Sequence, residues 1–265
     1  MDLKKKLYKK KIFITNDDGI NSKGIKVLKD ISKNIFSDIY TIAPAKNQSG
    51  KSHSITINKY IKVKKKNDRE FVVEGTPVDC VVLGLKNIIS SKIRPALLLS
   101  GINIGVNMGL DIYYSGTVSA AREGCLNGLK SIAISIEKNK KKIEWSGIKF
   151  FLPKLIGCIL SQDINSSYFY NINFPNISWQ NIKGIKLTKS GFRKPGSVTF
   201  MKAKGSNIFV KIPSERKIIK KAIIGEDEYE LHKGYISLSI HRVDLACTLE
   251  IEKKIKPALG KIFEK

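Results

Sequence analysis

The sequence predicts an α/β fold on a mostly parallel sheet, and three observations predict it. Short runs rich in β-branched residues alternate with segments of helical periodicity, giving four strands and three helices in the first half. The run Ala96 to Leu99 is apolar throughout, as strands buried on both faces of a parallel sheet are. Polar or glycine-rich turns follow the strands, where the loops of such a sheet converge on one crevice.

Lys11 to Thr15 reads as the first strand and ends in the turn Asn16-Asp17-Asp18-Gly19. Ser22 is placed to cap a helix in which Ile25, Leu28, Ile31 and Ile35 recur at helical spacing. Asp38 to Ala43 is a second strand closed by Pro44, completing a βαβ unit with a right-handed crossover. The polar loop Asn47 to Ser54 carries Ser49-Gly50 and His53. Two extended pieces, Ile55 to Val63 and Phe71 to Val73, flank a lysine-rich turn as a hairpin or edge excursion. Thr76 caps the next helix with Pro77 in its first turn, and Val78, Val81, Val82, Leu85 and Ile89 form its buried stripe.

After the strand 96–99, Ser100-Gly101-Ile102-Asn103 opens a loop whose glycines at 101, 105, 109 and 116 permit positive φ and close approach to a ligand. A helix from Thr117 to Leu126 and a strand from Ser131 to Ile136 follow. Beyond residue 140 the pattern loosens. It suggests a helix from Trp145 to Leu160, a strand from Tyr168 to Ile172, short strands between Ile182 and Val210, a strand from Tyr235 to Ile240 and a closing helix from Leu245 to Ile255. The chain thus divides into a solvated basic tail over 1–10 and one α/β domain over 11–265, in which 182–265 is a β-rich C-terminal extension.

Composition excludes several classes. No apolar stretch in the 265 residues approaches the roughly 20 needed to cross a bilayer, and the basic start carries no signal-peptide core, so a cytoplasmic protein is expected. Cys80, Cys125, Cys158 and Cys247 are far apart and without histidines at ligand spacing, which speaks for reduced thiols and against structural zinc. The net charge of +25 attracts phosphate-rich partners, but its lysines are spread along the chain rather than gathered with aromatics on one element. A dedicated nucleic-acid-binding protein is the non-enzymatic alternative.

The chemistry lies in four polar clusters at strand ends. Adjacent carboxylates such as Asp17 and Asp18 repel unless a cation joins them, and oxygens from Ser49 and Asn103 complete a shell for Mg²⁺ or Mn²⁺. Ser115-Gly116-Thr117 stands at a helix start, where free N–H groups and the helix dipole favour phosphate. His53, in the loop after the second strand, is a candidate assistant for proton transfer. A metal-dependent phosphomonoesterase follows, with an aspartyl-phosphate-forming phosphatase as the enzymatic alternative; the latter chemistry more often shows Asp-x-Asp.

Asn16-Asp17-Asp18-Gly19, Ser49-Gly50 with His53-Ser54-Ile55-Thr56, Gly75-Thr76-Pro77-Val78-Asp79-Cys80, Ser100-Gly101-Ile102-Asn103-Ile104-Gly105 and Ser115-Gly116-Thr117-Val118 resemble, in order and spacing, the blocks of the SurE survival-protein family. The likeness covers nearly the first 136 residues, with an echo at Gly234-Tyr235-Ile236-Ser237. It implies a Rossmann-like three-layer α/β/α domain and a nucleotidase acting on nucleoside 5′- and 3′-monophosphates with one divalent cation per subunit. Carried over, Asp17, Asp18, Ser49 and Asn103 would hold the metal, while Asn16 and Ser115 to Thr117 would meet the phosphate. The resemblance further implies a homodimer or homotetramer that exchanges C-terminal segments, although Ser239-Ile240 departs from the family's usual Thr-Pro.

Overall fold

Lys11–Thr15 forms β1, whose five residues are all buried. Successive side chains point to opposite faces, so Ile12 and Ile14 enter one hydrophobic cluster and Phe13 another. Both faces therefore need a cover. The structure, a computed structural model, describes residues 7–89, 94–139, 141–163, 167–193, 199–212, 221–244 and 256.

Helix α1 (Lys23–Lys33) starts where Ser22 accepts the Ile25 N–H, and it buries Ile25, Leu28 and Ile31. Strand β2 (Asp38–Pro44) lies parallel to β1. Strands β3 (Val63–Asn67) and β4 (Glu70–Val73) form the expected hairpin, and β4 joins β2 in parallel. The details differ from expectation: residues 55–62 run without regular structure, and the lysines placed in a turn form β3 itself. This strand is the outermost of its sheet and wholly exposed, where lysines discourage pairing with another chain.

Helix α2 (Pro77–Leu83) begins with a capping box between Thr76 and Asp79. Strand β5 (Leu97–Ile104) continues past its expected end at Leu99, because the register shift between Ser100 and Asn103 lets Asn103 and Ile104 resume pairing with β6 (Ser131–Ile136). Between them lies α3 (Gly116–Leu126). Then come α4 (Ser146–Ser161), β7 (Tyr168–Phe174), β8 (Ile185–Leu187), the hairpin β9 (Phe200–Lys204) and β10 (Asn207–Lys211), α5 (Asp227–His232) and β11 (Ile236–Arg242). The six-residue α5 was not anticipated from the sequence. The closing helix expected over 245–255 lies outside the described residues.

The strands form a nine-stranded sheet in the order β3-β4-β2-β1-β5-β6-β7-β11-β8, with β9 and β10 paired separately. From β4 through β7 it is parallel. Helices α1 and α4 cover the face of Ile12 and Ile14, with Leu28 and Leu152 in that cluster; Val81 of α2 and Ala120 of α3 join Phe13 on the other. Three layers, α/β/α, result. Of the expected basic tail, residues 1–6 lie outside the described residues, and Leu7 is buried in the core rather than solvated. Among the described residues no helix is long and apolar enough to cross a membrane.

The position of the site follows from this order. From β1 the chain moves outward to β2 and β4, then returns to lay β5 on the opposite side of β1. At such a reversal the loops above β1 and β5 part, leaving a crevice beyond the carboxyl ends of the strands.

Candidate active site

The loops after β1, β2, β5 and β6 line one crevice of about 660 Å³. Asp17 and Asp18 enter it from β1, Ser49 from β2, Asn103 from β5, and Ser115 from the start of α3. Five of the residues singled out in the sequence thus meet across separations of up to 98 positions.

Asp17 is buried, and its carboxylate accepts a hydrogen bond from the Thr117 hydroxyl. The approach is close enough that a Cβ on Gly116 would stand 2.7 Å from the Cβ of Asp17, so this position needs glycine. Asp18 is less enclosed, with the Asn47 amide donating to it at 3.3 Å. Burial, then the neighbouring Asp17 charge, push its carboxyl up to about 6 against the opposing pull of the Ile104 N–H and Lys138. Burial also raises Asp17, opposed by its hydrogen bonds from Thr117. Two negative charges are thereby held in a place that disfavours them.

The donor set fits a hard cation. Among the described residues no group of three or more His, Cys, Asp or Glu side chains could hold a metal, so such an ion would rest on two carboxylates and neutral oxygens. The Asn103 amide nitrogen donates to the Gly105 carbonyl at 2.7 Å, which leaves its oxygen for the crevice. Ser49 is exposed on the crevice wall, where its N–H is held by the Asn47 side chain at 2.8 Å. Ser115 caps α3 by accepting the Val118 N–H at 3.1 Å, and it lines the crevice at the positive end of that helix.

Four expected residues take other positions. Gly116 is buried against Asp17 and does not line the crevice. Asn16 is fully buried and does not line the crevice: its amide donates to the Gly19 carbonyl at 3.0 Å and the Ser22 hydroxyl at 2.8 Å, so it shapes the turn carrying the aspartates. Thr117 is likewise fully buried and serves Asp17 rather than facing the open crevice. His53 stands outside the lining, its Nε2 2.9 Å from Glu123 on α3. That contact, first among its causes, lowers the Glu123 carboxyl.

The crevice also holds residues the sequence did not single out, Asp111, Tyr114 and Lys138. Asp111 and Tyr114 sit between the glycines of the loop after β5, a signal that was available. Lys138 had none, being one of 48 basic residues and marked only by standing two positions beyond β6.

Comparison with known proteins places the chain and its fold. A family model described as "Survival protein SurE" matches residues 12–197. The chain is 40% identical over 187 residues to a protein of Paramagnetospirillum magneticum named 5′-nucleotidase SurE, covering 70% of this chain and 72% of the relative. With a 5′-nucleotidase SurE of Bradyrhizobium diazoefficiens it shares 33% identity over 240 residues, 88% and 94% of the two chains. The crystal structure of the SurE protein from Aquifex aeolicus superposes with a TM-score of 0.80 at 33% identity, over 96% of this chain and 100% of that one.

Proposed function

Because this chain belongs to the SurE survival-protein family, and is a 5′-nucleotidase on the strength of its relatives, we propose that it hydrolyses nucleoside 5′- and 3′-monophosphates with one divalent cation per subunit, Mg²⁺ or Mn²⁺. The observation that carries this reading is the pairing of Asp17 and Asp18, enclosed and mutually repelling, on the wall that also presents Ser115 and the start of α3. Asp17, Asp18, Ser49 and Asn103 would hold the cation. When bound, such an ion offsets charge on the phosphoryl oxygens.

The remaining work falls to the chain itself. Thr117 fixes Asp17 from behind, so the carboxylate pair is oriented before substrate arrives. Ser115 and the first turn of α3 present a positive helix end to the phosphate. Water attacks phosphorus, the bond to the nucleoside oxygen breaks, and that oxygen leaves with a proton as an alcohol while inorganic phosphate forms. Lys138, the basic side chain among the described lining residues, adds a positive charge on the side of β6.

The same reading includes a homodimer or homotetramer made through the C-terminal extension. It is supported by β9 and β10, whose ten residues are all exposed, among them Phe200, Met201, Ile208, Phe209 and Val210. A cytoplasmic place accords with Cys80, Cys125 and Cys158, which form no disulfide among the described residues.

The decisive experiment replaces Asp18→Asn and measures phosphate release from AMP in Mn²⁺. We expect a loss of at least about a hundredfold, together with weakened Mn²⁺ binding. Turnover near that of the parent would remove the assignment of the carboxylate pair.

A further inference from the structure

The loop that carries Asp111, Tyr114 and Ser115 into the crevice does not stand on its own. Its turn, a 3₁₀ segment over Gly109–Tyr113, is fastened at three consecutive residues by a part of the chain about a hundred positions away. The Gly109 N–H donates to Asp227 Oδ2 at 2.7 Å. The Leu110 N–H donates to the Arg193 carbonyl at 2.7 Å. The Asp111 carboxylate accepts from Arg193 Nε at 2.9 Å.

Asp227 is the centre of this attachment. It is completely buried, and its other oxygen accepts the N–H groups of Gly191 at 3.0 Å and Glu228 at 2.8 Å. One carboxylate thus pins three backbone segments: the crevice turn, the irregular stretch before Arg193, and its own helix α5. A buried carboxylate is costly unless its oxygens are occupied, and three N–H donors occupy these. Neutral asparagine has nearly the same shape, but one of its two ends is a donor, which would meet an N–H where Asp227 accepts. The fit is tight from the other side too. Gly109 has φ of +55°, and a Cβ there would lie 2.8 Å from the Arg193 nitrogen.

We propose that Asp227 is a positioning residue of the crevice, whose carboxylate seats the turn at Gly109 and through it sets Tyr114 and Ser115 against the substrate phosphate. The proposal rests on the phosphatase reading for its activity consequence, though its structural core does not. Asp227 touches no reacting group. It acts by holding the turn that leads into Ser115, so its loss loosens substrate, while Asp17 and Asp18 keep their own support from β1 and the Thr117 hydroxyl.

The test uses the full chain with Asp227→Asn and, separately, Gly109→Ala, which pushes the same turn away while Asp227 stays intact. In AMP hydrolysis with Mn²⁺ each variant is expected to raise KM about tenfold or more with kcat within about threefold, and the double variant to be no worse than the poorer single. Mn²⁺ affinity measured by calorimetry should be unchanged. Amide exchange at residues 109–115 should quicken at least tenfold in both variants while amides of β1 and β5 keep their protection. If the Asp227→Asn and Gly109→Ala proteins are folded and exchange at 109–115 is that of the parent, the clamp is wrong. A loosened turn with kcat and KM both unchanged would overturn the positioning role. If the parent itself releases no phosphate from AMP, the phosphatase reading fails instead, and the exchange result still decides the clamp.

Discussion

Two aromatic residues of the same type mark the contrast between the halves of this molecule. Phe13 of β1 is fully buried between α2 and α3, whereas Phe209 of β10 is 58% exposed on a hairpin outside the main sheet. In the first half, every strand from β1 to β6 except the edge hairpin is enclosed by helices, and its residues are explained by the chain itself. In the C-terminal excursion the apolar side chains of β9 and β10 are exposed among the described residues, which is the feature the proposed assembly would account for. The site is shared between them: the carboxylates belong to the first half, and the clamp on the crevice turn comes from the second.

The largest effect expected of this contrast is on stability. Phe13→Ala removes a fully buried ring and should cost roughly 3–5 kcal/mol in denaturant unfolding. Phe209→Ala should cost about 0.5 kcal/mol or less within a single chain. Phe209→Lys, however, should shift the assembly toward smaller species in sedimentation. Should Phe209→Ala destabilise as much as Phe13→Ala, with no change in assembly, the hairpin would be part of the chain's own core and the contrast would collapse.

Legibility in the sequence follows the same division. Strands β1 and β6 have the limits read from their apolar runs, and Ser22 and Thr76 cap the helices they were assigned, because these features depend on neighbours within a few residues. The pairing of Asp17 with Asp18, and their meeting with Ser49, Asn103 and Ser115, could be read because loops of a parallel sheet converge. The lysines of β3 read as a turn because their strand character is imposed by β4, and Asn103 seemed to lie in a loop because only β6 extends β5 so far. Asn16 and Thr117 were recognisable as belonging to the site, but which way their side chains face is decided by Ser22 and Asp17. Asp227 was invisible for the strongest reason: its partner Gly109 is 118 residues away, and α5 is too short to show a periodic stripe.

A smaller effect probes the seam between stability and function in the first half. Ser115→Ala removes the side-chain acceptor of the Val118 N–H and should cost about 1 kcal/mol of stability. Because Ser115 also lines the crevice, KM for AMP should rise as well. Ser22→Ala, at the equivalent cap of α1, loses its bond to the Ile25 N–H and should cost a similar amount. Its consequence for KM should be less, since Ser22 lies at the crevice margin through the turn held by Asn16 rather than at the start of α3.

The remaining expected effect concerns pH, and its sign separates the metal-free protein from one given Mn²⁺. Burial and the charge of Asp17 raise Asp18 from an ordinary carboxyl value near 4 to about 6, so between those values the folded chain binds more protons than the unfolded one. The contribution of Asp18 is therefore most favourable below pH 4 and is lost as pH rises through 6. In melts of metal-free protein from pH 4.5 to 7.5, the parent should lose stability relative to Asp18→Asn, which lacks the Asp18 titration and keeps only that of Asp17. Adding Mn²⁺ at pH 7.5 should reverse the order if, as proposed, the cation binds the ionised pair in the folded state alone. A parent-minus-variant difference that stays flat across this range would mean that the crevice does not enclose Asp18, and that the first half is less complete in itself than its buried strands indicate.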